Sequence, residues 1–144
     1  DDAAVCAAVS GARPGLAQRL ASSGGHAPLD AQFALWLELT AADTVTRLDQ
    51  AAVWGRNFPA ARAALDLAAL VWHQLVQLAA AAGAAPTVAG PPPLPAFQTL
   101  PAQRLRDRGV VALAAQLALI ARASRLLDAN VQPRLALEWL MLEL

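Results

Sequence analysis

The sequence predicts an all-α fold: a helical bundle of about five to six helices, preceded by a short helical fragment. Three observations predict it. Alanine and leucine, both strong helix formers, supply roughly two fifths of the 144 residues. Apolar residues recur at spacings of three and four through segments bounded by Gly, Pro, Asn and Asp. No stretch alternates apolar and polar with period two, so nothing reads as a strand.

Residues 1–10 are alanine-rich and read as a helix. Gly11-Ala12-Arg13-Pro14-Gly15 breaks it, and Pro14 suits the first turn of a second helix over 14–21. Ser22-Ser23-Gly24-Gly25-His26 is a flexible joint and the best candidate boundary, dividing 1–25 from 26–144. Residues 28–39 carry Leu29, Phe33, Trp36 and Leu37 on one helical stripe. Thr40 or Asp43 caps a further helix that runs to about Gly55. Asn57-Phe58-Pro59 punctuates, and Pro59 opens a long helix ending at Gly83.

Residues 84–101 form a Pro-rich loop (Pro86, Pro91, Pro92, Pro93, Pro95 and Pro101). A helix or turn at 102–108 follows, then a strongly apolar helix over 110–127. Asp128-Ala129-Asn130 closes that helix, and Pro133 begins the last one, over 133–142. The segments 60–82 and 110–127 are apolar around more than half their circumference, which places them at the centre of a bundle or against another chain.

Composition excludes several functions. All 11 basic residues are arginine, so neither a phosphate-loop lysine nor a Schiff-base lysine exists in this chain. Eleven acidic residues balance them, leaving no net charge to drive non-specific nucleic-acid binding. A lone cysteine, Cys6, rules out an intramolecular disulfide or a multi-cysteine metal site. A chain opening Asp1-Asp2 without an initiator methionine is expected to be a processed protein or a piece of a longer one. No export signal is evident, so the expected compartment is the cytoplasm.

With 57% hydrophobic residues and a mean hydropathy of +0.41, a membrane test is needed. The segment 60–82 is long enough to span a bilayer. On a helix, however, Arg62, Asp66, His73 and Gln77 form one polar stripe, which a lipid-facing helix would not carry. The expectation is a soluble amphipathic helix.

Signals for chemistry are few. His26 and His73 have no carboxylate or cysteine at ligand spacing, and the carboxylates are scattered singly. No catalytic, cofactor-binding or metal-binding residue is therefore assigned, and the chain is not expected to be an enzyme. An enzyme or ligand-binding reading would require Cys6, His26 and His73 to converge in space. Arg104, Arg106 and Arg108 form the one basic cluster, tempered by Asp107; such a run is more often a solvated face than a phosphate-contacting patch. Asp43 and Asp128 read as helix caps. Trp36, Trp54, Trp72 and Trp139 are spread over four helices and read as core anchors.

Two segments carry a resemblance. Residues 126–144, with Asn130, Pro133, Arg134, Leu135, Leu137, Glu138 and Leu140, resemble the closing "N-x-x-P-R-L-x-L-E-x-L-L-L" helix of bacterial clamp-loader subunits. Near the N-terminus, Gly11, Arg13, Pro14 and Gly15 resemble the "G-x-x-P-G-x-A" turn in the lid domain of the delta prime family of DNA polymerase III. That resemblance implies that Gly11, Arg13, Pro14 and Gly15 form a sensor-2-like turn, with Arg19 as an alternative to Arg13. It implies that residues 1–25 are the tail of an ATPase-type lid domain and 26–144 a helical collar or oligomerisation domain. The nucleotide-binding core would lie upstream. The partners implied are other clamp-loader subunits (gamma/tau and delta), with DNA met only indirectly through the assembled complex, and with no cofactor, metal or membrane. Leu135, Leu137, Trp139, Leu140 and Leu144 would project apolar surface toward a neighbouring subunit. The same pattern also fits the collar of a gamma/tau or delta subunit. Outside that family, the chain reads as a free-standing helical adaptor.

Overall fold

The computed structural model describes residues 27–83 and 108–144. Five helices and no strand occur among them, which is the expected all-α class. They are α1 (Ala27–Ala41), α2 (Thr44–Trp54), α3 (Phe58–Gly83), α4 (Val110–Asp128) and α5 (Pro133–Glu143). The predicted helices over 1–10, 14–21 and 102–108, and the loop at 84–101, lie outside the described residues or, for Arg108, at their edge.

Local chemistry sets the boundaries. Asp43 is extended, and its carboxylate accepts from the Thr46 N–H at 2.7 Å, so Asp43 and not Thr40 caps α2. Thr40 instead turns its hydroxyl back onto the Leu37 carbonyl at 2.7 Å, inside the last turns of α1. Asn57 opens α3 in the same way as Asp43 opens α2, its side-chain oxygen accepting from the Ala60 N–H at 2.9 Å. Between α4 and α5 the chain reverses through Asn130, a non-glycine residue at φ 60. Asparagine tolerates that left-handed conformation, and Pro133 then supplies a pre-set φ for the first turn of α5. Asp128 does not cap α4: it is the last helical residue, and its carboxylate accepts from Arg62 Nη1 at 2.6 Å. A carboxylate at a helix C-terminus opposes the helix dipole, so pairing with an arginine on a neighbouring helix is the favourable alternative.

The long helix α3 spans 26 residues and lies at the centre. It packs along α4 and against α1, α5 and α2. The second close pair is α2 with α5, and α4 joins α5. Core side chains come from all five helices: Phe33, Trp36 and Leu39 from α1, Ala51 from α2, Leu65, Val71, Trp72 and Leu75 from α3, Leu113, Ile120 and Leu127 from α4, and Ala136, Leu137, Leu140 and Met141 from α5. On α4 the three large buried residues are seven apart, so its core stripe is narrow.

Two devices fix the helix ends. Arg47 on α2 donates from Nε to the Ala42 carbonyl just past α1 (3.1 Å) and from Nη1 to the Met141 carbonyl in the last turn of α5 (3.4 Å). One cation thus serves the carbonyl ends of two helices, where a positive charge is favoured. Gly55 lies where α5 crosses the end of α2; a Cβ there would come within 2.5 Å of the Arg134 Cα.

Both 58–81 and 110–128 are long and apolar enough to cross a membrane by length and composition. Their burial differs: 44% of the α3 window is buried inside the bundle, and 22% of the α4 window. The stripe Arg62, Asp66, His73 and Gln77 lies on the outer side of α3 as its spacing predicts, with Arg62 Nε 3.5 Å from Asp66 and His73 Nε2 3.1 Å from Gln77.

Candidate interaction surface

Most of the described chemistry is spent inside the bundle. Trp36 meets Trp54 at 4.7 Å between ring centroids and Trp72 edge-on at 5.6 Å, so three of the four tryptophans converge where α1, α2 and α3 meet. Trp72 directs its indole N–H at Gln116 Oε1 of α4, 2.9 Å away, which satisfies a buried donor and links the two helices. The Trp36 indole N–H is buried and finds no acceptor among the described residues.

The fourth tryptophan sits elsewhere. Trp139 is half-buried on α5, and the Arg122 guanidinium of α4 lies 5.0 Å from its ring centroid. Arg122 and Trp139 each lie about two helical turns from the α4–α5 junction. Their contact joins the two helices of this hairpin about two turns out from the turn.

The outer side of this hairpin is apolar and uncovered. On α4 it carries Val111 (84% exposed), Ala114, Ala115 and Ala118, followed by Arg122 and Arg125. On α5 it carries Leu135 (54%), Trp139 and Leu142 (61%). Val111, Ala115, Ala118 and Arg122 follow spacings of four, three and four, and Leu135, Trp139 and Leu142 spacings of four and three. Each series is one straight stripe along its helix. This side of the hairpin thus combines an arginine over an indole with exposed leucines and alanines.

Of the residues expected at a subunit interface, Leu137 and Leu140 are fully buried within the chain's own core, in register with Ala136 and Met141. Their side of α5 faces the rest of the bundle, so their apolar surface is used internally. Leu144 is half-buried against the same core, whereas Leu135 is exposed and Trp139 lies between. Leu142, which the sequence reading did not select, belongs to the outward stripe; its position three residues after Trp139 was the available signal. Gly11, Arg13, Pro14 and Gly15, together with Arg19, Arg104, Arg106, Cys6 and His26, lie outside the described residues. Arg108 is described, and its guanidinium donates to the Thr40 hydroxyl at 2.9 Å, tying the start of α4 to the end of α1. His73 is exposed and bonded to Gln77, and no group of three potential metal ligands occurs among the described residues.

Among the described residues, a helix cap carries a shifted carboxyl. The Thr46 backbone N–H, and next the Thr46 hydroxyl, hold the Asp43 carboxyl below its ordinary value of 3.8.

Comparison with protein-family models, with curated proteins and with solved structures gives no match.

Proposed function

We propose that this chain is the C-terminal part of a bacterial DNA polymerase III clamp-loader subunit of the delta prime type. In this reading residues 1–25 are the tail of the lid domain. Residues 26–144 are a helical collar domain that holds the loader subunits together while the sliding clamp is placed on DNA. The chain itself is non-catalytic and cytoplasmic; its partners are the gamma/tau and delta subunits, and it meets DNA only through the assembled complex.

The supporting observation is the α4–α5 hairpin. The residues that resemble the family's closing segment, Asn130 through Leu144, fold as a left-handed asparagine turn and a proline-started helix. That helix seals the bundle on one side and leaves an apolar stripe on the other. A collar domain needs both properties: a self-sufficient core and an outward face for neighbours.

Co-expression with the gamma/tau and delta subunits of the same organism, followed by affinity capture and size-exclusion chromatography, tests the proposal. Co-elution in a stoichiometric complex is expected. If the other subunits assemble and this chain elutes alone, the reading is wrong. The uncovered stripe equally suits a free-standing helical adaptor. The coding sequence upstream of Asp1 separates the two, because a nucleotide-binding domain there supports the loader and a start codon or unrelated domain the adaptor.

A further inference from the structure

We draw no further inference here: the strongest candidate, the exposed apolar stripe of Val111, Ala114, Ala115, Ala118, Leu135 and Leu142 on the outer side of the α4–α5 hairpin, carries nothing, because nothing in the structure shows what covers it.

Discussion

Gly55→Ala separates two opposite expectations. The glycine lies at φ −78 and ψ 7, a conformation open to any residue, and its N–H closes α2 by donating to the Ala51 carbonyl at 2.8 Å. Considered locally, alanine would lower the entropy of the unfolded chain and stabilise the protein by about 0.4–1 kcal/mol. The packing predicts the reverse sign. A Cβ at Gly55 would stand 2.5 Å from the Arg134 Cα, 2.8 Å from the Ala51 carbonyl oxygen and 2.9 Å from the Arg134 Cβ. Two of these three neighbours are backbone atoms, so no side-chain rotation relieves the overlap; α5 must move away from α2. Overpacking of this kind costs about 1–3 kcal/mol. Net of the entropic gain, a loss of about 1–2 kcal/mol is expected, or roughly 2–8 °C in the melting temperature of a chain of this size. Urea titration followed by tryptophan fluorescence measures it. Gly109→Ala is the control: its φ of 69 strains any L side chain, yet no atom lies within 4 Å of the new Cβ, so its effect is conformational and leaves the α2–α5 contact untouched. A Gly55→Ala protein as stable as wild type, or more so, would mean that α5 does not press on the end of α2, and the described packing would be wrong.

Further outcomes follow from the same contacts. A double-mutant cycle of Trp72→Phe and Gln116→Leu, read by urea denaturation, should show a coupling of about 1 kcal/mol for the buried indole–amide hydrogen bond. Arg62→Ala should cost less than about 1 kcal/mol despite two carboxylate partners, because Asp66 and Asp128 are more than half exposed and solvent screens the attraction. Asp43→Ala should destabilise the protein, with Asp43→Asn intermediate, since asparagine keeps the cap oxygen without the charge. The Asp43 carboxyl is held below 3.8 in the folded protein, so its contribution is present above that value and lost as the pH falls through the depressed one. The difference between wild type and Asp43→Asn in an acid titration should therefore shrink as the pH falls from the ordinary carboxylate value through the depressed one.

What was legible in the sequence was whatever depends on neighbours along the chain. Asp43 and Pro133 mark helix starts because their side chains act on backbone within three residues, and both do so here, whereas α3 is capped by Asn57 and begins at Phe58, one residue before the proline to which the sequence pointed. The polar stripe of α3 was legible for the same reason, being one helix's periodicity. What depends on a second element was not. Asp128 has the composition of a cap but is claimed by Arg62, 66 residues earlier in sequence. Nothing local to Gly55 announces that α5 passes over it. The convergence of Trp36, Trp54 and Trp72 has no signature at the spacing of any single helix. Leu137 and Leu140 look as available as Leu135 until the rotation of α5 in the bundle is known.

That rotation bears on what the apolar excess means. Helices α3 and α4 look alike in sequence, both apolar over more than half their circumference, yet the buried share of α4 is half that of α3. Topology makes the difference. The central helix has α1, α4 and α5 against it, whereas α4 has close neighbours only in α3 and α5 among the described helices. The same composition therefore makes a core helix in one place and an uncovered face in the other. The chemistry of that face then limits the strength of what it can hold. An exposed face of leucines would be an aggregation hazard. Here much of it is alanine, each contributing little burial, with Val111, Leu135 and Leu142 as the larger contacts and arginines at one end. Such a face is a smaller hazard than one of leucines, because each alanine adds little apolar area.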